Sequence, residues 1–282
     1  MSNFKRIVFS GGGSRCLWQV GFWDSAAPAL KIKPRLVAGV SAGGAMAAMV
    51  MSGTSGTGIR LIKEATAANR KNFYFTNLFR STPSFPHYRI YRHTVVTTVD
   101  AAALERIRKG PVIRITMAHP PAYLGARSGT ATGLIAYSLE KNLTHPMHPA
   151  WGKKLGYTST VARLNDCATP DEAADLIMCS SCTPPFVPIL SYKGRVALDG
   201  GIIDNVPVYA VEDDTAGGDV LVLLTRRYGE KSIPRVPGRV YVQPSSEPPV
   251  SKWDYTNPDG LQKAYDMGRR DGDVFVKSFA KK

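Results

Sequence analysis

Three short motifs in this chain bring together residue types that could open an ester. The first is Gly39-Val40-Ser41-Ala42-Gly43, a G-x-S-x-G pattern. Where such a pattern joins a strand to a helix, the turn is so tight that side chains beside the serine would collide, and Gly39 and Gly43 remove them. The serine backbone is then strained, and its hydroxyl sits at a helix N-terminus where the dipole favours developing negative charge. That is the setting of a nucleophile.

The second motif is Gly11-Gly12-Gly13-Ser14-Arg15. Free N–H groups on Gly11, Gly12 and Gly13 could hold an oxyanion, with glycine letting the backbone approach the reacting carbonyl and Arg15 assisting. A dinucleotide loop would place glycine at position 16, which is Cys16 here, and a carboxylate about twenty residues on at a strand end, which is missing. The third motif is Asp199-Gly200-Gly201, directly after the apolar Val196-Ala197-Leu198. As a general base Asp199 would accept the serine proton; taken alone, an Asp-Gly pair reads as a turn.

The histidines bear on how these motifs combine. They are His87, His93, His119, His145 and His148, and none follows Asp199, whereas an ordinary α/β-hydrolase runs Ser, then Asp or Glu, then His. Asp100 and Glu105, acids that could precede such a histidine, lack a strand-end setting. A Ser41–Asp199 pair without histidine fits better. Two other readings stay open: a triad with a histidine hidden in 87–148, and a non-catalytic lipid- or protein-binding module.

These residues need a scaffold that brings three loops to one place. Short apolar runs predict strands over 5–10, 36–40, 112–117, 196–198 and 220–224. Helical spacing predicts helices over 15–30, 42–51, 57–69, 97–109, 131–143, 170–180 and 256–279. Strands alternating with helices indicate an α/β fold with a largely parallel sheet, which places active sites beyond the carboxyl ends of its strands. No repeat or composition break divides the chain, so residues 1–282 read as a single domain. Segments 80–93 and 226–260 read as long connections, the second as a tolerated surface excursion.

Other residues read as structural. Trp18, Phe22 and Trp23 fall on helical spacing and belong to a core. Cys179-Ser180-Ser181-Cys182 and nearby Cys167 read as small buried thiols rather than a zinc or redox site. Asp204 and Asn205, before Val206-Pro207, read as helix caps. In His145-Pro146-Met147-His148 the proline favours an extended chain and no carboxylates accompany it, so no metal is expected.

The net charge is +14, of which +12 falls in residues 1–110. So uneven a field points to an anionic partner. Nucleic acid is disfavoured by the lack of zinc-finger spacing, RNP-type aromatics or a basic heptad helix. A lipid surface fits better, with the basic stretch 60–109 near the mouth of the site. The start offers only Ile7, Val8 and Phe9 before polar and glycine residues, too short for a secretory segment. The longest weakly polar run, 36–51, has sixteen residues where a spanning helix needs about 20. A cytoplasmic protein, peripheral at an anionic membrane, is expected.

In order and spacing the three motifs resemble the patatin-like phospholipase family. Gly11–Arg15 match its glycine-rich oxyanion motif, Gly39–Gly43 its nucleophile elbow, and Asp199–Gly201 its D-G-G/A motif. The likeness runs from about residue 4 to about 210 and includes Pro184-Pro185-Phe186; Cys16 departs from the glycine many members carry. The resemblance implies a three-layer α/β/α sandwich, with Ser41 as nucleophile and Asp199 as its base. It implies hydrolysis of phospholipids or other lipid esters through an acyl-enzyme, with no metal or organic cofactor.

Overall fold

The computed structural model describes residues 3–79, 83–144, 146–214 and 217–279. In chain order the elements are β1 (Phe4–Phe9), α1 (Leu17–Ala29), β2 (Leu36–Val40), α2 (Ala42–Ser52), α3 (Ser55–Ala68), α4 (His87–Thr98), α5 (Ala101–Lys109) and β3 (Val112–His119). There follow α6 (Ala126–Thr144), α7 (Trp151–Lys154), β4 (Thr158–Arg163), α8 (Pro170–Ser180), β5 (Leu190–Tyr192), β6 (Arg195–Asp199), β7 (Asp219–Leu223), β8 (Arg239–Val242) and α9 (Pro258–Phe279).

The inner strands are apolar on both faces, the pattern of a sheet covered on both sides. Ile7, Phe9, Val37, Leu221 and Leu223 join one core with Trp18, Phe22, Ala45 and Met49. Their neighbours Val8, Leu36, Ala38, Val220 and Val222 join a second core with Val206, Val208 and Val211. Among the described residues eight strands pair in the order β5-β6-β3-β2-β1-β7-β8, with β4 also on β3. The run from β3 to β8 is parallel, whereas β4 and β6 lie antiparallel to β3, and β5 to β6. Helices lie on both sides of this mainly parallel sheet, as the α/β/α expectation requires. No helix among the described residues is long and apolar enough to cross a membrane.

The register of β3 sets up the site. β2 pairs with β3 as far as Val40 opposite Thr116, and one residue further along β3 Met117 stands opposite Asp199 of β6. The end of β6 therefore arrives where β2 turns away into α2. Behind this, α1 and α9 pack so closely that a Cβ on Gly268 would stand 2.0 Å from the Trp18 carbonyl oxygen. The Trp18 indole N–H donates to Asp271 Oδ2 at 2.7 Å across the same contact.

Several expectations change. The helix expected over 97–109 is two: α4 ends at Thr98, and Asp100 starts α5 by accepting the Ala103 N–H at 2.7 Å. The connection expected over 80–93 gives way to α4 from His87, while Arg80, Ser81 and Thr82 lie outside the described residues. The connection 226–260 contains β8. Asp204 and Asn205 cap no helix: the turn at Val208–Val211 starts without a side-chain cap. Asp204 Oδ1 instead accepts the Val206 N–H and meets His148 Nδ1 at 2.9 Å, while His145 lies outside the described residues.

His119, buried at the end of β3, ties its neighbours together. Its Nδ1 lies 2.7 Å from the Val196 carbonyl oxygen of β6, and its Nε2 lies 2.9 Å from Thr160 Oγ1 of β4. A carbonyl only accepts, so Nδ1 carries the proton and Nε2 receives the threonine hydroxyl. Burial holds this imidazole below its ordinary pKa, against the pull of the Val196 carbonyl and with Arg195 adding to the lowering. Between an unfolded value of about 6.5 and the lower folded one, the unfolded chain binds a proton that the folded chain refuses. Stability is therefore full above that window and falls as pH drops through it. Urea unfolding at pH 7.5 and pH 5 should show a smaller pH-dependent loss in His119→Gln than in the parent; an equal loss would contradict this account.

Candidate active site

Ser41 is the first residue after β2 and the residue before α2, and its φ of +54° is rare for a side chain larger than glycine's. Such a conformation persists only where its surroundings hold it, at a strain of about 1–3 kcal/mol. The flanking glycines make the turn possible. A Cβ on Gly43 would stand 2.4 Å from the Ser10 carbonyl oxygen, and one on Gly39 would stand 2.6 Å from Gly44 Cα.

The Ser41 hydroxyl donates to Asp199 Oδ2 at 2.7 Å, and the two residues are 4% and 5% exposed. The carboxylate is oriented by two further donors. Thr183 Oγ1 donates to Oδ2 at 3.1 Å, and the Gly201 N–H donates to Oδ1 at 2.8 Å. Gly200 packs against the Thr116 carbonyl of β3. From the other side Ser180, at the end of α8, fixes the turn: its Oγ accepts the Ser41 N–H at 2.8 Å and donates to the Thr116 carbonyl at 2.7 Å.

The glycine loop after β1 lies against the same serine, a Cβ on Gly11 falling 3.3 Å from Ser41 Cβ. The Gly11 carbonyl accepts Asn205 Nδ2 at 2.9 Å and Thr225 Oγ1 at 2.6 Å, and the Gly11 N–H donates to the Asn205 carbonyl at 3.1 Å. The Ser14 N–H is taken by the Lys252 carbonyl at 3.1 Å. Among the described residues the N–H groups of Gly12 and Gly13 donate to no acceptor. They stand at the start of the helical segment that leads into α1, where positive potential gathers. Arg15 Nε reaches back to the Gly12 carbonyl at 3.4 Å. The elbow, the aspartate, its glycines and the glycine loop named from sequence thus converge, but the Gly11 N–H, expected to be free for an oxyanion, is spent on the Asn205 carbonyl.

A small cavity of about 20 Å³ at the serine is lined by Gly13, Ser41, His87, Tyr91, Trp253 and Tyr255, with others. It shares Gly13, Ala42, Tyr91 and Tyr255 with an apolar cavity of about 40 Å³ walled by Leu17, Met46, Met49, Ile62 and Leu261. His87 lies in the first cavity, yet its Nε2 donates to the Trp253 carbonyl at 2.9 Å, and its Nδ1 meets no partner among the described residues. Phe186 stacks on Trp253 with ring centres 4.4 Å apart and closes the aromatic wall.

Sequence reasoning missed three contributors. Ser180 and Thr183 were hidden by the cysteines around them, and their partners Ser41 and Asp199 lie 139 and 16 positions away. The third is the segment 252–255, expected to be a surface excursion. It forms a wall of the site, pinned by Ser14, by His87 and by Asn69 Nδ2 on the Tyr255 carbonyl at 2.7 Å. The cysteines are free thiols, and burial pushes Cys16 and Cys182 up to about 12, and Cys167 and Cys179 up to about 11.

A family model described as patatin-like phospholipase matches residues 7–211. No curated protein matches the chain. Among solved structures, the crystal structure of VipD from Legionella pneumophila matches with a TM-score of 0.51 and 14% identity, covering 98% of this chain and 67% of VipD's. At that identity the likeness is one of fold.

Ser180→Ala removes an acceptor from the Ser41 N–H and a donor from the Thr116 carbonyl, both buried. Leaving such groups unpaired costs about 1–3 kcal/mol. Urea unfolding should show a loss of that size, and fluorophosphonate labelling of Ser41 should slow by about tenfold or more, since 1.4 kcal/mol is a factor of ten. Unchanged stability together with unchanged labelling would remove Ser180 from the site.

Proposed function

The chain belongs to the patatin-like phospholipase family, and we propose that it is a serine hydrolase of lipid acyl esters with Ser41 as nucleophile and Asp199 as its base. The observation that carries this reading is the 2.7 Å hydrogen bond from Ser41 Oγ to Asp199 Oδ2 in a pocket nearly closed to water. Asp199 takes the hydroxyl proton as Ser41 Oγ attacks the ester carbonyl. The N–H groups of Gly12 and Gly13 receive the oxyanion, and the proton on Asp199 passes to the departing alcohol. Water then attacks the acyl-enzyme, gives its proton to Asp199, and the fatty acid leaves as Ser41 recovers its own. The acyl chain enters the apolar cavity beside the serine, where Met46 and Met49 are flexible enough to widen it. This chemistry calls on no organic cofactor or metal.

For the triad reading, His87 is the histidine that shares the cavity with Ser41 among the described residues. Its bond to the Trp253 carbonyl and the bond of Ser41 to Asp199 favour the pair over the triad. A non-catalytic binding module would have no use for a strained serine held against a carboxylate.

The substrate implies a membrane, and helix α6 supplies a surface suited to one. Ile135, Leu139 and Leu143, spaced four residues apart, are 59%, 50% and 71% exposed, and Lys141 lies in the last turn of the same helix. The stretch 60–109 serves this purpose less well, since Arg92 is bound to Asp171 and Asp175 of α8 at 2.8 and 2.9 Å.

Ser41→Ala and Asp199→Asn should each abolish fluorophosphonate labelling or lower fatty-acid release from phospholipid by about a thousandfold or more, because members of one catalytic unit are non-additive. His87→Gln should stay within about tenfold of the parent. A His87 variant as inactive as Ser41→Ala would favour the triad, and ester hydrolysis surviving in Ser41→Ala would sink the assignment. Changing Leu139 and Leu143 to Asp should weaken binding to anionic vesicles; binding indifferent to these changes and to salt would remove the membrane role of α6.

A further inference from the structure

Beside the oxyanion loop lies a cavity of about 490 Å³ that the steps above do not use. Its walls carry cations from three separate parts of the chain: Arg15 from the loop itself, Lys141 from the last turn of α6, and Arg226 from just beyond β7. Lys252 lies outside the lining, close enough for its charge to act on Lys141. Its carbonyl holds the Ser14 N–H, and its ammonium stands 4.7 Å from the centre of the Trp253 ring. All four side chains are partly buried.

Cations gathered this closely repel one another, and an anionic ligand among them relieves that repulsion. Burial holds the Lys141 ammonium below its ordinary pKa, and the charges of Lys252, Arg226 and Arg15 lower it further. Burial lowers Lys252 as well; Asp199 pulls it back up, while Arg15 and Arg226 add to the drop. The carboxylate that lines the cavity, Glu247, accepts the Arg227 N–H at 3.0 Å. Arg226 donates to the Pro146 carbonyl at 3.0 Å and lies 4.5 Å from the centre of the Tyr228 ring. A guanidinium has five N–H donors in a planar fork, so that bond leaves most of the fork to meet a ligand.

We propose that this cavity receives the anionic phosphoryl headgroup of the lipid whose acyl ester Ser41 attacks, with Arg15, Lys141 and Arg226 on its walls, and Lys252 nearby, selecting net-negative headgroups over zwitterionic ones. The inference rests on the acyl-hydrolase reading and names the substrate class for it. In a glycerophospholipid only a short run of glycerol carbons separates the acyl ester from the phosphate. A headgroup must therefore lie close to the oxyanion, and Arg15 belongs both to that loop and to the cavity. Arginine forks match phosphate oxygens two at a time. A choline headgroup would bring a fixed positive charge among four others, so selection works by repulsion as well as attraction.

The test uses Ser41→Ala protein, so that nothing is turned over. Calorimetry compares water-soluble dioctanoyl phosphatidate, dioctanoyl phosphatidylcholine and inorganic phosphate. Phosphatidate should bind at least tenfold more tightly than phosphatidylcholine, about 1.4 kcal/mol. Lys141→Gln and Arg226→Gln should each reduce that preference by about fivefold or more, since each removes a charge-assisted contact. Inorganic phosphate should compete with phosphatidate while binding more weakly. Equal affinity for the two lipids, or a preference that survives both substitutions, overturns the proposal. Free phosphate binding as tightly as phosphatidate overturns the headgroup assignment in favour of a site for the free ion. Thermal unfolding is compared first, and Lys141→Gln, at a partly exposed helix end, carries the test if Arg226→Gln does not fold. A protein that hydrolyses no ester yet prefers phosphatidate keeps the anion site and loses the hydrolase reading; labelling at Ser41 with no headgroup preference does the reverse.

Discussion

Val40 stands opposite Thr116, and on the next residue of β3 Met117 stands opposite Asp199. This handover from β2 to β6 puts the residue leaving one strand beside the residue ending another. Ser41 could not hold a φ of +54° by its own turn alone. It is held because Asp199 receives its hydroxyl, Ser180 receives its N–H, and its carbonyl receives the Gly44 N–H at 2.9 Å. Ser180 in turn is anchored on Thr116, the last residue of β3 to face β2. The strain is thus offset by bonds of which those to Asp199 and Ser180 converge on neighbouring residues of β3.

The same handover explains why the proposed chemistry needs little rearrangement. As Asp199 accepts a proton, its negative charge vanishes while an equal one forms on the ester oxygen. Charge moves a short way rather than appearing, and amides already aimed at its destination need not reorient.

Much of this was legible from residue order. Gly39–Gly43, Asp199–Gly201 and Gly11–Arg15 are defined by backbone demands that few residue types meet, so they stand out in a linear reading. The inner strands were legible for a similar reason, since a sheet covered on both sides needs continuous apolar runs such as Leu36–Val40. The edges were not. Thr158–Arg163 is mostly polar and exposed, and takes its extended form from pairing with β3. Helix α4 was obscured by Pro83, Pro86 and a β-branched tail, although Ile90, Tyr91, Thr94, Val95 and Thr98 lie buried along one side. Ser180, Thr183 and Lys252 act through contacts across 139, 16 and 238 positions of sequence, and no local pattern encodes such pairings.

The bracing of the glycine loop has a consequence in time. Gly11 is held by Asn205 and Thr225, and Ser14 by Lys252, all far downstream. A ribosome that has delivered Ser41 has delivered none of these braces, and even the partner Asp199 comes 158 positions later. On the proposed reading, the nucleophile is thus made well before its base or a fixed oxyanion cradle. On that reading a fragment that ends before Asp199 carries the serine without the means to use it, so activity would follow the folding of residues as late as Lys252 rather than the appearance of Ser41.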